Sequence, residues 1–432
     1  MKVAIIGSGI AGLSCAHALA RDPATAVTLF EAGDYLGGHT NTVDVEVDGI
    51  HHPVDTGFLV FNHRTYPNLV RLFDELGVPT AKSEMSFSVS LGGQIEWAGT
   101  SLATVFAQPG NLLRPRFIAM LRDILRFNRA ATASALGAED PTSLGEVLAR
   151  DRYSEAFRDW YLLPMAAAIW SCPTSAMLAY PFTTFARFCN NHGLLQVSKR
   201  PQWFTVTGGA REYVRRMSAA INDIRTSTPV TRVRRSAAGI LVHSMKQGRE
   251  AIERFDQAVL ACHSDQALTM IDEPTLAELE VLAAVGYQPN VAWLHTDRRL
   301  LPKRERVWAA WNYLSGAPGV GAGGEASRPV AVSYLINKLQ PVPFRSPVVV
   351  TLNPPHPPRE EHVLGRFDYA HPVFDQAAVA AQGRLPGIQG VDRLWFAGAW
   401  TGYGFHEDGL KSGLAAAAGL AQHIGAMRRA AA

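Results

Sequence analysis

The chain has 432 residues, 47% of them hydrophobic and 18% charged, a balance typical of a folded protein long enough for two intertwined domains. Lysine and arginine exceed aspartate and glutamate by only 41 − 38 = 3, which gives no reason to expect a nucleic-acid partner. The four cysteines (Cys15, Cys172, Cys189 and Cys262) form no metal-binding pair, so we expect reduced thiols, no metal site and a cytoplasmic location. No run of about 18 apolar residues predicts a membrane span, and a strand beginning at residue 2 leaves no room for a signal peptide.

The strongest local signal lies at the start of the chain, where strand, glycine turn, helix, strand and acid follow one another. In order these elements are Val3–Ile6, Gly7-Ser-Gly9-Ile10-Ala11-Gly12, Leu13–Arg21, Val27–Phe30 and Glu31. In such a unit Gly7 makes a tight turn, Gly9 lets a pyrophosphate approach the backbone and Gly12 lets the helix pack closely. The start of the helix offers free N–H groups to the phosphates. The Glu31 carboxylate is expected to accept hydrogen bonds from the ribose hydroxyls, and its charge repels a 2′-phosphate. The pattern therefore predicts FAD or NAD and not NADP.

A second literal copy of the glycine pattern, Gly319–Gly324, has a different setting. Ser315-Gly-Ala-Pro318 precedes it and Ser327-Arg-Pro329 follows it, with no helix-forming stretch behind. Glycine and proline at this density predict a loop between strands and not a nucleotide site.

Further glycine stretches extend the predicted site. They are Gly37-Gly38-His39-Thr40, Gly57-Phe58, Phe396-Ala-Gly398-Ala399 and Glu407-Asp408-Gly409, the last leading into a predicted helix at Leu410–Ala426. A strand, glycine turn and helix so late in the chain provide a second helix N-terminus that can face the ligand. Two separated cradles suit a long ligand, so the sequence favours FAD over NAD.

Taken in order, these motifs resemble those of the flavin amine oxidase superfamily, which includes monoamine oxidases, carotenoid desaturases and protoporphyrinogen oxidase. Members share the N-terminal fingerprint, a Gly-Gly-Arg turn and a C-terminal Phe-Ala-Gly stretch; here His39 replaces the arginine. The resemblance implies FAD held non-covalently, because no cysteine precedes the C-terminal strand where some relatives attach it. It also implies that the backbone of Val230 contacts the adenine. The predicted cofactor-binding residues are Gly7, Gly9, Ile10, Ala11, Gly12, Glu31, Ala32, Gly37, Gly38, His39, Thr40, Gly57, Phe58, Val230, Gly398, Ala399, Glu407, Asp408 and Gly409.

A narrower resemblance extends over nearly the whole chain. It is carried by Phe61–Asn68, Met85–Ser90, Ile169–Pro173, Arg200–Trp203 and Gly402–Lys411. These segments are similar to the flavin domain that precedes plant cyclopropane-fatty-acid synthases, and to a bacterial flavoprotein associated with methylated, cyclopropane or furan fatty-acid synthesis. The resemblance implies a methyl-branched or unsaturated acyl chain in phospholipid as substrate, and a fatty-acid methyltransferase as partner.

The superfamily topology implies an α/β fold in which a Rossmann-like FAD-binding domain is interleaved with an α+β substrate domain. We expect the FAD domain from residues 1–80, 200–270 and 385–432, and the substrate domain from residues 81–199 and 271–384. Strands are predicted at Val230–Val233, Asp256–Ala261, Asn290–His295, Val330–Ile336 and Val348–Leu352, whereas residues 81–199 are predicted to be mostly helical.

His406 is the candidate catalytic residue, because the resemblance places it in the aromatic cage that flanks the flavin. An imidazole there can exchange a proton, or it can simply bond the cofactor or a backbone carbonyl. Glu407 and Asp408 fit a helix cap and a cofactor contact better than a glycosidase pair, whose carboxylates must flank one bond. The predicted substrate-pocket residues are Trp170, Cys172 and Tyr403. Trp170 either walls an acyl tunnel or serves as an ordinary core residue.

The segment Arg114–Arg129 is basic and amphipathic. At helical spacing its arginines Arg122, Arg126 and Arg129 share one side, and Phe117, Leu121, Ile124 and Phe127 spread over the other. This pattern fits a helix resting on anionic lipid at the inner face of the cell membrane. It fits equally a helix packed on its own domain with a solvated basic face.

The function predicted from these features is FAD-dependent dehydrogenation, or desaturation, of a lipid acyl chain. No second credible nucleotide fingerprint provides for NAD(P)H, so electrons are expected to pass to oxygen or a membrane acceptor. One alternative is an amine oxidase acting on a small amine, against which His406 in the cage position argues. Another is a non-catalytic, FAD-bound lipid-binding partner of a methyltransferase.

Overall fold

The computed structural model of the chain describes residues 1–137, 140, 142–170, 177–196, 200–315 and 331–431. The second glycine copy, Gly319–Gly324, and Cys172 both lie outside the described residues.

A five-stranded, all-parallel sheet forms one layer of the molecule. In order across the sheet its strands are Asp223–Arg225, Ala26–Phe30, Lys2–Ile6, Gln257–Leu260 and Leu394–Phe396. The three central strands are almost entirely apolar and buried, as expected when helices cover both faces of a parallel sheet. Helix Ile10–Leu19 connects the first two strands of the chain and begins three residues before the predicted Leu13, because Gly9 is its N-cap. The strand–helix–strand unit predicted at the start of the sequence is confirmed.

A mixed seven-stranded sheet forms the other large layer. In order its strands are Val363–Val373, Gly286–His295, Val349–Leu352, Ala331–Leu335, Trp311–Ser315, Phe87–Leu91 and Ile95–Ala98. The pairing is antiparallel except between Trp311–Ser315 and Phe87–Leu91. The last two strands come from a segment predicted to be mostly helical; the alternation Phe-Ser-Val-Ser-Leu is the period-two signal that a sheet requires.

Three small sheets contain the other strands of the described residues. They are Val230–Ser236 with Gly239–Lys246 and Arg249–Phe255; Thr42–Val47 with Ile50–Asp55; and Phe61–Asn62 with Trp203–Val206 and Thr80–Ser83. The α-helices in the described part of the chain include Ile10–Leu19, Pro67–Leu76, Leu102–Val105, Pro115–Ala135, Leu144–Arg150, Glu155–Phe157, Leu163–Trp170, Phe182–Asn191, Arg211–Ser218, Ser264–Met270, Leu276–Leu282, Ile336–Leu339, Gln376–Arg384 and His406–Ala431. Short 3₁₀ turns include Pro109–Leu113 and Ala399–Thr401, and Arg158–Leu162 is a π-helical turn.

The two layers draw their strands from alternating parts of the sequence. Every strand of the parallel sheet lies within residues 1–80, 200–270 or 385–432, and every strand of the seven-stranded sheet lies within 81–199 or 271–384.

Two helices run side by side in the same direction on the parallel sheet. A Cβ on Gly409 would lie 2.7 Å from Ile10 Cγ2, and one on Gly413 would collide with the carbonyl oxygen of Ala11. Glycine at these positions therefore lets helix His406–Ala431 approach helix Ile10–Leu19 closely. The N-termini of both helices consequently lie at the same edge of the sheet.

Helix Pro115–Ala135 buries Phe117, Met120 and Phe127 completely. Phe127 packs against Phe182 and Phe185 of helix Phe182–Asn191, with ring centroids 5.9 and 6.3 Å away. The apolar face that the sequence offered to lipid thus packs on the protein itself. Among the described residues, no helix combines the length and hydrophobicity that crossing a bilayer requires.

Candidate functional site

A cavity of about 860 Å³ joins the two sheets, a volume near the upper end of the range for small-molecule sites. Gly9 and Gly38 of the N-terminal turns and Gly398 of the C-terminal turn lie on its wall. Trp311 and Leu352 of the seven-stranded sheet lie on the wall as well. The predicted glycine cradles and the second layer therefore face one continuous space.

The N-terminal cradle has the geometry that its sequence predicts. Gly7 has φ +102°, a conformation that L side chains rarely adopt. A Cβ on Gly12 would collide with the Gly7 carbonyl oxygen, whereas a Cβ on Gly9 would meet nothing within 4 Å. Gly9 thus leaves room for a ligand at the N-terminus of helix Ile10–Leu19, where backbone N–H groups favour an anion.

Glu31 directly follows the strand Ala26–Phe30 and lines the cavity. Its carboxylate accepts hydrogen bonds from the Ser8 amide at 2.9 Å and the Gly33 amide at 2.8 Å. These bonds hold the acid beside the glycine turn. Ala32 and Val230 lie on the same part of the wall.

The C-terminal turn contributes Gly398, Ala399 and His406 to the cavity wall. The Gly398 amide donates to Ser412 Oγ at 2.9 Å, which ties the turn to the first turns of helix His406–Ala431. The start of this helix faces the cavity, so the site has two helix N-termini, as the sequence predicts.

Five predicted cofactor residues lie off the cavity wall: Gly12, Thr40, Glu407, Asp408 and Gly409. Gly12 and Gly409 serve the close packing described above. The Thr40 hydroxyl bonds the Tyr213 hydroxyl. Asp408 accepts from the Phe405 amide at 3.0 Å as a helix cap, and burial raises its pKa to about 6.

Glu407 has a different set of partners from the one predicted. Its carboxylate accepts from the Asn68 amide at 3.0 Å, the Asn68 side chain at 2.6 Å and the Leu69 amide at 3.0 Å. All three donors belong to the first turn of helix Pro67–Leu76. The carboxylate is therefore engaged in capping this helix and does not contact the cavity.

His406 lines the cavity with its imidazole stacked on Phe58, the ring centroids being 3.9 Å apart. Its Nε2 is 2.7 Å from the Tyr213 hydroxyl, which continues to Thr40. Burial lowers the pKa of His406 to about 3. The imidazole is therefore neutral at physiological pH and is held in place by an internal hydrogen-bond chain.

Three other histidines lie together on the cavity wall near the N-terminal cradle. The His39 ring is 5.2 Å from His371 and 6.5 Å from His263, and it stacks on Tyr369 at 4.9 Å. Burial, with the neighbouring histidines, lowers the pKa of His39 well below its usual value. Its Nε2 is buried and has no hydrogen-bond partner among the described residues. The sequence singled out His39 but gave no signal for His263 or His371.

The far part of the cavity is aromatic. Trp170 packs against Phe188 with ring centroids 4.6 Å apart, and Phe188 stacks on Phe405 at 4.9 Å. Tyr403 lies 5.8 Å from Phe188. Trp170 is both a buried core residue and part of the wall, so the two interpretations of it coexist. The indole nitrogens of Trp170 and Trp311 are buried without a partner among the described residues.

His192 is a cavity residue that the sequence did not reveal. It follows helix Phe182–Asn191 as the C-cap and stacks on Phe188 at 4.0 Å. Its Nδ1 lies 3.0 Å from the Phe188 carbonyl oxygen, to which only a protonated nitrogen can donate. Burial lowers the pKa of His192 to about 4, so Nε2 carries a lone pair at neutral pH. A hydrogen bond between a histidine ring and a backbone carbonyl has no motif by which a single sequence could reveal it.

These features define the class of the protein, an α/β oxidoreductase with a site for a long dinucleotide cofactor. A family model described as flavin-containing amine oxidoreductase matches residues 10–421. The chain belongs to this family, and it is an FAD-dependent oxidoreductase. The two cradles and the unpartnered nitrogen of His39 fit FAD, whose phosphates the N-terminal cradle would hold.

Solved structures with the same fold span almost the entire chain. The structure of cyclohexylamine oxidase from Brevibacterium oxydans matches with TM-score 0.68 and 18% identity, covering 98% of this chain and 99% of that one. The fatty acid isomerase of P. acnes that produces CLA matches with TM-score 0.64 and 15% identity, over 95% and 96%. Wild-type putrescine oxidase bound to putrescine matches with TM-score 0.64 and 16% identity, over 98% and 99%. At these identities the likeness shows the fold.

Two curated relatives match over shorter segments. The 15-cis-phytoene desaturase of Synechococcus elongatus is 42% identical over 78 residues, which are 18% of this chain and 15% of the relative. The carotenoid φ-ring synthase of Chlorobaculum tepidum is 32% identical over 166 residues, which are 37% of this chain and 23% of the relative. The matches thus span less than a quarter of the length of either relative.

Proposed function

We propose that the protein dehydrogenates a lipid acyl chain, introducing a double bond. The observation that carries this proposal is the composition of the cavity wall. The described wall residues include two acids, Glu31 and Asp265. Burial raises the pKa of the Cys262 thiol beside the N-terminal cradle, and both of these carboxylates raise it further. The aromatic part around Trp170 and Phe188 has no carboxylate among the described residues, which suits an uncharged hydrocarbon chain.

The comparisons support an apolar substrate without identifying it. One curated relative is a 15-cis-phytoene desaturase, and one solved structure of the same fold is a fatty acid isomerase. The narrower sequence resemblance implies a methyl-branched or unsaturated acyl chain in phospholipid, with a fatty-acid methyltransferase as partner. We include both in the proposal, together with action at the inner face of the cell membrane.

The residues of the cavity suggest how such a reaction proceeds. Dehydrogenation removes a hydride from one carbon and a proton from its neighbour, and bound FAD supplies the two-electron acceptor. The aromatic wall excludes water and holds the chain extended. The Phe188 carbonyl fixes the tautomer of His192, so that its Nε2 carries the lone pair that would accept the proton. A position that is allylic or tertiary gives up hydride more readily than an ordinary methylene.

The test is anaerobic reduction of the bound flavin. The purified yellow protein is mixed without oxygen with vesicles of unsaturated or methyl-branched phospholipid, and the flavin absorbance band is followed. Bleaching by lipid, with a new double bond found by mass spectrometry, is the expected result. Saturated straight-chain phospholipid is the control and should bleach the flavin far more slowly.

A second candidate is oxidation of a small amine. Aromatic side chains such as Trp170, Phe405 and Tyr403 are able to hold an ammonium group by cation–π attraction. Bleaching by cyclohexylamine or putrescine, and not by lipid, would favour this function. Bleaching by neither would leave a non-catalytic, lipid-binding role beside a methyltransferase.

A further inference from the structure

Exposed apolar side chains are concentrated in one short part of the chain. Among the described residues twelve large hydrophobic side chains are exposed, and six of these lie between residues 102 and 136. The six are Leu102, Leu112, Leu113, Ile118, Leu125 and Leu136. Leu113 is 88% exposed and Leu102 78% exposed. Isolated exposed leucines are ordinary, but a concentration of this kind marks an interaction surface.

The outer face of helix Pro115–Ala135 organises this surface. Ile118, Arg122, Leu125 and Arg129 are separated by four, three and four residues and are all exposed. At this spacing they form one stripe along the helix, which Leu136 extends. The stripe is opposite to the buried face of Phe117 and Phe127 and alternates apolar with basic residues.

The stripe is continuous with the turn that precedes the helix. Leu112, Leu113, Pro115, Ile118, Ala119 and Arg122 line one shallow surface depression of about 390 Å³. The 3₁₀ turn Pro109–Leu113 therefore adds two exposed leucines directly to the helix stripe. We name the surface formed by Leu112, Leu113, Ile118, Arg122, Leu125 and Arg129 the leucine–arginine face.

The charge around this face is positive. Residues 101–136 contain five arginines and one acid, Asp123. Asp123 is buried and accepts a hydrogen bond from the Ser154 amide at 2.9 Å. Arg116 pairs with Glu155 at 3.1 Å, whereas Arg122 is 77% exposed and its nearest approach to Asp123 is 3.9 Å. Arg122 and Arg129 thus remain available to an anionic partner.

We propose that the leucine–arginine face docks the protein on an anionic phospholipid bilayer. Leucines enter the boundary between headgroups and acyl chains while the neighbouring arginines reach the phosphates, as in interfacial helices. A second copy of the chain fits less well, because a two-fold contact through this face would bring the exposed arginines of the two copies into one interface, where like charges repel. The buried side of the same helix packs on helix Phe182–Asn191, which contributes Phe188 to the cavity wall.

The test is co-sedimentation of the FAD-loaded protein with vesicles. The protein should pellet with phosphatidylcholine vesicles that contain one part in four of phosphatidylglycerol, and much less with phosphatidylcholine alone. Salt near 1 M, where the Debye length is about 3 Å, should release most of it. Absence of binding to the anionic vesicles would overturn the proposal, whatever substrate the flavin oxidises.

Two variants separate the parts of the face. Leu112→Ser with Leu113→Ser should weaken partitioning at least about tenfold, because two leucines lose their burial in lipid. Arg122→Gln with Arg129→Gln should weaken it by about fivefold for each arginine at an anionic surface. The matched controls are Leu276→Ser, which alters a leucine 72% exposed on another helix, and Arg249→Gln on a different sheet.

The outcomes of these variants are distinct. All substituted side chains are exposed, so the flavin spectrum and melting temperature should stay as in the parent protein. Control variants that bind vesicles as weakly as the face variants would overturn the proposal. So would a parent protein that is dimeric by light scattering and becomes monomeric with the two serines, since this result assigns the face to self-association.

Discussion

At the scale of single residues, Gly9 is the position where the cradle can be tested without disturbing the fold. Its φ of −62° and ψ of 175° are open to any L residue, and a Cβ there would project into space that is free of protein. Gly9 lies on the cavity wall at the N-terminus of helix Ile10–Leu19, where we expect the cofactor phosphates. The backbone conformation does not require glycine at this position, so a substitution here tests ligand binding and not folding.

Gly9→Ala should leave the melting temperature of the apoprotein unchanged and weaken FAD binding at least tenfold, or about 1.4 kcal/mol. Titration of the apoprotein with FAD, followed by flavin fluorescence, measures the effect. Gly383→Ala is the matched control, because its Cβ also meets nothing within 4 Å and it lies in helix Gln376–Arg384. Equal FAD affinity in both variants would remove Gly9 from the phosphate site.

His192 and His406 are both neutral imidazoles on the cavity wall, but they differ in whether Nε2 can accept a proton. Nε2 of His406 is engaged by Tyr213, whereas Nε2 of His192 has no partner among the described hydrogen bonds. His192→Phe keeps an aromatic ring beside Phe188 and removes the proton acceptor. We expect anaerobic flavin reduction by substrate to slow at least about 100-fold, with FAD affinity retained.

The control for His192 is His63→Phe, which alters an exposed histidine stacked on Phe204. Because the pKa of His192 is about 4, its lone pair is present throughout the neutral range. The reduction rate should therefore be independent of pH above 6 in the parent protein. A rate unaffected by His192→Phe would leave the proton acceptor to another group.

At the scale of secondary-structure elements, Glu407 shows how one helix holds another. Its buried carboxylate caps helix Pro67–Leu76 through three hydrogen bonds. Glu407→Ala leaves these donors without a partner, so the free energy of unfolding should fall by about 2 kcal/mol. Glu280→Ala breaks an exposed pair with Arg384 and should cost less than about 1 kcal/mol. Urea unfolding measures both. A Glu407 variant with normal stability and weakened FAD binding would instead support the cofactor contact predicted from the sequence.

Elements whose signals are local could be predicted, and contacts between distant segments could not. The glycine fingerprint and Glu31 predicted the first strand, helix and strand, the strands to within one residue and the helix to within three, because each glycine has a steric role within a few residues. Glu407 carried an equally clear local signal as a helix-start acid, yet its donors are more than 300 residues away in the chain. His192 gave no signal, since its function depends on which ring and which carbonyl the fold brings beside it.

The helix at residues 115–135 illustrates the same limit. The amphipathic helix predicted from the sequence is confirmed. The pattern alone did not indicate which face of the helix packs on the protein. Its aromatic side chains Phe117 and Phe127 pack in the protein core, as the apolar face of most amphipathic helices does. The sequence pattern placed the apolar face on Phe117, Leu121, Ile124 and Phe127, and it did not indicate that leucines on the other side of the helix are exposed.

At the scale of the whole molecule, the burial of histidine couples stability to pH. Burial lowers the pKa of six histidines: His39, His192, His263, His295, His371 and His406. In the unfolded chain each returns toward 6.5. As the pH falls from 6.5 toward 4, the unfolded chain therefore binds protons that the folded protein does not, and the stability that these groups contribute is lost.

Two buried acids oppose this trend. Burial raises the pKa of Asp55 and of Asp408 from 3.8 to about 6. Their contribution to the free energy of unfolding is therefore fully present below pH 3.8 and is lost as the pH rises through 6. Six histidines outnumber two acids, and the net change on unfolding at pH 5 is uptake of protons. The free energy of unfolding should fall with decreasing pH by up to about 1.4 kcal/mol per pH unit for each net proton.

Urea unfolding of the FAD-saturated protein at several pH values between 7.5 and 4.5 measures this slope. His192→Phe removes one of the six groups, so its slope should be smaller by up to one proton. His63→Phe, at an exposed histidine off the cavity wall, is the control. A stability that is constant or rises on acidification would mean that the histidines around the cavity bind protons in the folded protein as readily as in the unfolded chain, and would contradict the lowering of their pKa by burial.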